Sequence, residues 1–304
     1  MKTGKLILLL VSLFLFAGAA SAAKWKARHV VLIGLDGWGA YSVEKADMPH
    51  VKKLMADGSY TLKKRSVLPS SSAVNWASMF MGAGPELHGY TEWGSRTPEL
   101  PSREVSHYGI FPSVFGLFRD ANPKAEMGYI CEWEGLLYLA EMDAMNKKKH
   151  VTKEDAPDGN IAKAVAAEAV SYIKEARPAF VGIFFDEPDH VGHAVGHDTD
   201  AYYEKIKELD TYVGQIVEAV KEAGMLDNTV FIVTADHGGI NKGHGGKTMQ
   251  EMETPFIISG KGIKKGYAFT ESMMQFDVAS TIAYIFGLKQ PQVWIGRPMK
   301  QVFR

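Results

Sequence analysis

The chain has 304 residues, with 34 basic and 35 acidic side chains and a formal net charge of -1. That balance, without a dominant basic block, excludes a protein that tracks a nucleic-acid backbone, which needs a basic stripe. Its hydrophobic share of 46% excludes a disordered chain, and its single cysteine, Cys131, excludes an internal disulfide, so stability rests on core burial and any bound metal.

At the N-terminus Met1-Lys-Thr-Gly-Lys5 is basic, an apolar run extends from Leu6 to about Ala20, and Ala20-Ser21-Ala22 follows. A basic start, a short apolar stretch and a small-x-small exit make a secretory signal peptide, expected over 1–22 with cleavage before Ala23. The run is short for a bilayer span of ~20 residues, so no stable membrane span is expected after cleavage. The product would be exported, periplasmic or secreted. Residues 23–304 are enough for one large α/β domain with its own core.

His29-Val-Val-Leu-Ile-Gly-Leu35 reads as a buried strand running into Asp36-Gly37. A helix is expected from Met48 to Asp57 with Gly58 as its C-cap, then a strand from Tyr60 to Leu68. A short helix from Asn75 to Met81 stops at Gly82, and another starts near Pro112. The stretch 85–158 is rich in Trp, Tyr, Pro, Glu and Lys with weak periodicity, and reads as excursions capping a site. Within it Lys147-Lys148-Lys149 reads as solvated loop charge, and Cys131 as a small buried hydrophobe. Beyond it come a helix from Ile161 to Ala176, a strand from Ala179 to Phe185 and a long helix from Ala201 to Met225. A strand from Thr229 to Thr234, a strand from Pro255 to Ser259 and a helix from Phe276 to Phe286 complete the pattern. Strands alternating with helices argue for a largely parallel sheet covered on both faces.

Three segments near strand ends carry one set of ligand types: Gly-Leu-Asp36-Gly, Glu187-Pro-Asp189-His-Val-Gly-His193, and Thr-Ala-Asp236-His237-Gly-Gly with Gly-His244-Gly beyond it. Three carboxylates and three imidazoles suit two closely spaced zinc ions, a clamp for in-line displacement at phosphorus. Leu68-Pro-Ser-Ser-Ser72-Ala-Val-Asn75 adds a serine at a strand-to-helix junction, where a helix N-terminus stabilises a negative oxygen. The i,i+3 spacing places the Asn75 amide on the Ser72 face, from which it could donate to a phosphoryl oxygen. Ser70, Ser71 and Ser72 are equally the residue type of a turn or an N-cap.

Asp36-Gly, Ser72 with Asn75, Glu187-Pro-Asp189-x-x-Gly-His193, Asp236-His237-Gly and His244-Gly occur in the order seen in the alkaline phosphatase superfamily, and most resemble its type I phosphodiesterase/nucleotide pyrophosphatase branch. The resemblance spans Asp36 to Gly296-Arg297-Pro298. It implies a central mixed, mostly parallel sheet sandwiched between helices, with Asp36, Ser72, Asp236 and His237 on one zinc and Asp189, His193 and His244 on the other. It also implies a phosphoric ester hydrolase for small-molecule substrates, with Ser72 as nucleophile. A phosphomonoesterase using the same two zinc ions, or a metal-binding protein without catalysis, are the alternatives. Two departures stand out. The branch usually has threonine followed by an aromatic ring that stacks on a nucleobase, whereas Ser72 is followed by Ala73. Ser70, Ser71, Ser72 and Cys131 also lack the proline two and arginine four residues later that mark a Cys or Ser converted to formylglycine in sulfatases.

Among the remaining residues, His190 and His197 could compete with His193 for a metal, and His88 reads as a brace for the turn after the nucleophile helix. Glu187 is expected to orient a ligand rather than be one. Trp93, Trp133 and Tyr138 could line a substrate pocket or simply pack. Arg96, Arg103 and Lys247 are cationic groups that could reach a phosphate.

Overall fold

Over residues 25–304, the span described by a computed structural model, the apolar runs pair into one mixed sheet. The leader expected over 1–22 lies outside the described residues. The strands are β1 (His29–Asp36), β2 (Gly58–Arg65), β3 (Met127–Cys131), β4 (Lys147–His150), β5 (Phe180–Pro188), β6 (Thr229–Thr234), β7 (Glu253–Gly260) and β8 (Tyr267–Ala268). Their order is β4-β3-β5-β1-β6-β7-β2-β8. The block from β4 to β6 is parallel throughout. Strand β7 runs antiparallel to both β6 and β2, which turns β2 back into the direction of the parallel block.

Successive side chains along a strand point to opposite faces, and β1 shows the consequence. Val30 and Leu32 enter one core while Val31, Ile33 and Leu35 enter the other. The helices are α1 (Pro49–Ala56), α2 (Ser72–Met81), α3 (Pro85–His88), α4 (Val114–Ala121), α5 (Ile161–Ala176), α6 (Asp189–Val195), α7 (Asp200–Glu222), α8 (Met249–Met252) and α9 (Asp277–Phe286). Helices α2, α4 and α9 cover the first face, and α1, α5 and α7 the second. In the first core Phe115 stacks on Phe180 at 4.7 Å between centroids, and Trp76 meets Phe184 edge-on at 5.3 Å. Each such ring stabilises by roughly 1.5–3 kcal/mol relative to exposure. The apolar stripe Ile206, Leu209, Val213, Ile216 and Val220 of α7 is buried as its helical spacing requires.

The stretch 85–158 corrects the sequence reading in part, because β3 and β4 inside it extend the sheet at one edge. The Lys147–Lys149 run is strand β4 rather than loop, and its lysines pair with Glu168, Asp143 and Asp155. Charged lysines are a common way to blunt an edge strand against further pairing. Cys131 is buried in β3, where desolvation pushes its thiol up to about 12. No helix among the described residues is long and apolar enough to cross a membrane.

Candidate active site

Strands β5, β1 and β6 are neighbours and parallel, so their C-terminal ends lie side by side. Asp36 ends β1, Asp189 follows β5 as the first residue of α6, and Asp236 stands two residues past β6. Strand β2 ends at the same edge of the sheet and leads through 66–71 into Ser72 at the start of α2. The edge where an open α/β sheet forms its ligand crevice thus receives every segment singled out above.

Gly37 makes this convergence possible. Its φ is +67°, and a Cβ there would stand 2.5 Å from both Cβ and Oδ1 of Asp189. Its N–H donates to Asp236 Oδ1 at 3.1 Å, tying the ends of β1 and β6 together. Glu187 accepts from the Val191 N–H at 3.1 Å, which fixes the first turn of the helix that carries Asp189.

Two trios of potential ligands result, and within each the ligand atoms lie within 4.8 Å of one another. Asp36, Asp236 and His237 form the first, and all three are buried. Trp76 Nε1 donates to Asp36 Oδ2 at 2.9 Å, but Asp36 Oδ1 and Asp236 Oδ2 are buried with no hydrogen-bond donor. His237 presents Nδ1 to the Gly238 carbonyl at 2.8 Å, leaving Nε2 as the lone-pair nitrogen facing both carboxylates. Buried, undonated carboxylate oxygens around an imidazole lone pair are costly unless a cation joins them. Burial, reinforced by the neighbouring aspartates, raises Asp36 well above the carboxylate range and Asp236 to about 7. Burial pushes His237 down to about 3.

Asp189, His193 and His244 form the second trio, which opens to solvent through His193, whose side chain is 48% exposed. His193 Nδ1 lies 2.9 Å from the Lys242 carbonyl and His244 Nδ1 lies 3.1 Å from the Ser70 carbonyl. If both Nδ1 atoms donate, the two Nε2 lone pairs face each other at 3.1 Å, an arrangement that needs a proton or a cation between them. The hydrogen bond to Asp189 pushes His193 up to about 9, and its three imidazole partners hold Asp189 well below the usual carboxylate range against the opposing effect of burial. The trios adjoin, since the His237 and His244 rings stack at 3.8 Å.

Ser72 is 8% exposed, and its hydroxyl stands 3.1 Å from His237 Nε2. Ser70 has a different task. It donates to the Gly246 carbonyl at 2.6 Å and accepts from the Gly245 N–H at 3.1 Å, clamping the loop that carries His244. Asn75 departs from the sequence reading. Its amide donates to the carbonyls of Val67, Pro69 and Ser71, and its Oδ1 accepts from the Val67 N–H at 2.7 Å. The loop before α2 leaves carbonyls without strand partners, and an amide in the first helical turn reaches back to them. Asn75 braces the loop before α2 with the amide that the sequence reading aimed at a phosphoryl group.

Lys64 and Gln275 escaped the sequence reading, and His197 has a different task from the one expected. His197 packs its ring into a cradle where a Cβ at Gly192 or Gly239 would stand within 2.3 Å of its Nε2. From there it reaches Asp189 Oδ1 at 3.2 Å, while its Nδ1 lies 3.1 Å from the Asn241 carbonyl. It therefore orients a carboxylate rather than competing with His193; His190 is exposed. Its place beside the ligand segment had marked it in the sequence, and the two glycines are the signal for its packed position. Lys64, fully buried, donates to the Ala235 carbonyl at 2.8 Å and to Gln275 Oε1, and burial lowers it to about 7. Gln275 Nε2 in turn bridges the carbonyls of Ala235 and Asn75, linking the start of α2 to the Asp236 turn. His88 is buried, contacts Ser78 Oγ at 2.9 Å and accepts from the Tyr90 N–H, bracing the turn after α2. Arg96 pairs with Glu134 at 2.7 Å and lies over the Tyr138 ring.

A mixed sheet between two helical layers, with two Asp/His trios and a serine at its C-terminal edge, is the alkaline phosphatase-like fold. Within that class the chain belongs to the type I phosphodiesterase/nucleotide pyrophosphatase family, whose model matches residues 30–245. It is 22% identical over 257 residues to venom phosphodiesterase 2 of Crotalus adamanteus, covering 71% of this chain and 27% of that protein. It is also 22% identical over 234 residues to a bis(5'-adenosyl)-triphosphatase of Mus musculus, covering 70% and 47%. The chain thus spans about a quarter to a half of the length of these relatives. Among solved structures, an inactive murine ectonucleotide pyrophosphatase/phosphodiesterase 5 in complex with AMP aligns with a TM-score of 0.73 at 16% identity, covering 91% of this chain and all of that one.

Proposed function

We propose that this chain is an exported phosphoric ester hydrolase acting on small-molecule diesters, with Ser72 as nucleophile between two zinc ions. The observation that carries the reading is the placement of Ser72 Oγ 3.1 Å from His237 Nε2, where the buried trio adjoins the open one. Asp36, Asp236, His237 and Ser72 would hold one ion and Asp189, His193 and His244 the other, a carboxylate and imidazole set suited to zinc. Bound there, the pair would neutralise charge on the attacking and leaving oxygens.

The residues of the chain then do the positioning. Asn75 and Ser70 hold the loops on either side of Ser72, so its hydroxyl meets phosphorus at the start of α2 with little freedom to lose. His197 and Trp76 fix the carboxylates of Asp189 and Asp36. The export part of the reading rests on the leader-like residues 1–22, and the relatives add venom proteins.

Diesters are favoured over monoesters because a monoester brings a further negative charge that needs its own cation. Arg96, the arginine beside the aromatic stretch, is already paired with Glu134. The test compares kcat/KM for p-nitrophenyl phosphate with its methyl diester. The diester is expected to be the better substrate, and a monoester preference of about a hundredfold (~3 kcal/mol) would make the protein a phosphomonoesterase instead.

A further inference from the structure

Lys64 is fully buried on β2, and its Nζ donates to two neutral oxygens, the Ala235 carbonyl at 2.8 Å and Gln275 Oε1. Burying an ammonium without a carboxylate at its side is costly, so packing alone does not account for a lysine here. The Ala235 carbonyl lies one residue past β6 and one before Asp236, and it takes a second donor, Gln275 Nε2 at 3.2 Å. The same Nε2 donates to the Asn75 carbonyl in the first turn of α2 at 3.3 Å. Gln275 is itself fixed to the sheet, because its N–H donates to the Arg65 carbonyl of β2 at 2.8 Å. Gln275, Asn75 and Asp236 are fully buried as well, which keeps bulk water from these bonds.

We infer that Lys64 and Gln275 are positioning residues that set the register between Ser72 and the Asp236–His237 turn. This rests on the hydrolase reading above. Ser72 stands three residues before Asn75 on α2, and His237 stands two residues after Ala235. The two carbonyls gripped by Gln275 Nε2 therefore belong to the segments whose spacing sets the 3.1 Å from Ser72 Oγ to His237 Nε2. Lys64 supplies the orientation. A lysine ammonium only donates, so it takes Oε1 of the amide and leaves Nε2 for the carbonyls. A shift of about 1 Å at a reacting group can lower a rate about a hundredfold, so small changes in this strut reach the chemistry.

The test uses Gln275→Glu, which keeps the size of the side chain and gives Lys64 a carboxylate but removes both amide donors. Gln275→Met, read in the same way, covers the case in which the new carboxylate prevents folding. Each is assayed on methyl p-nitrophenyl phosphate well below its thermal midpoint, so that only folded protein is counted. For either variant kcat is expected to fall about 10- to 100-fold with KM nearly unchanged. Zinc content should match wild type, because no Asp or His of the two trios is altered. A wild-type kcat in a folded variant would make Lys64 and Gln275 core residues only and overturn the inference. Zinc loss in step with kcat would also overturn it, since the two residues would then hold a metal ligand and not the serine. In both of these cases the active wild-type protein leaves the hydrolase reading intact. A wild-type protein that turns over no ester overturns that reading, and the inference with it.

Discussion

Ser72→Ala is expected to lower kcat on the preferred diester by about four to six orders of magnitude, the range seen when a covalent nucleophile is removed. The variant should fold and retain both metal ions, because the six Asp and His side chains are untouched and only one oxygen is lost. Its neighbours supply the contrast. Ser71→Ala should be nearly neutral, since the Ser71 hydroxyl is buried without a partner. Ser70→Ala should cost activity more modestly by loosening the loop that carries His244. Steady-state kinetics with elemental analysis on all three variants checks this, and a dead Ser70 or Ser71 variant beside an active Ser72→Ala would assign the nucleophile elsewhere.

The second large effect is expected at Asp189, which meets His193, His197 and His244 at once. Asp189→Ala removes the only carboxylate of the open trio and should lower zinc content by one equivalent. In zinc-replete buffer it should also cost about 2–4 kcal/mol of stability, partly from ion binding that the native state loses and partly from buried pairs left unmatched. Under chelation the difference from wild type should shrink, because removing Asp189 also relieves its repulsion with Asp36 and Asp236. Thermal unfolding with and without chelator reads both numbers. A deficit of equal size in the two conditions would make Asp189 a structural residue rather than a metal ligand.

The parts of the molecule governed by short-range pattern were legible in the sequence. The helix from Ile161 to Ala176 and the strand from Thr229 to Thr234 have the expected bounds, because apolar periodicity and caps lie within each segment. The convergence of Asp36, Asp189, Asp236, His193, His237 and His244 was legible too, as each follows an apolar strand whose end had to face one edge. Illegible features depend on partners far along the chain. Strand β4 consists of three lysines and a histidine, so no apolar alternation marks it, and only its pairing with β3 defines it. Asn75 has the right spacing to face a substrate, but the loop carbonyls of Val67, Pro69 and Ser71 compete for its amide, and no periodicity argument weighs that competition. Lys64 sits on β2 like any surface lysine until the Ala235 carbonyl and Gln275 are brought over it.

In the proposed function Ser72 attacks phosphorus and is then released by water, two in-line displacements in succession. Stereochemistry at phosphorus distinguishes this sequence from a single attack by water. A p-nitrophenyl diester made chiral by a single sulfur substituent would be hydrolysed by the wild-type protein in isotopically labelled water, and the configuration of the product read by phosphorus NMR. Each in-line displacement inverts the centre, so attack by Ser72 followed by water predicts net retention. Net inversion would mean that water attacks the substrate directly, and it would remove Ser72 from the role assigned to it here.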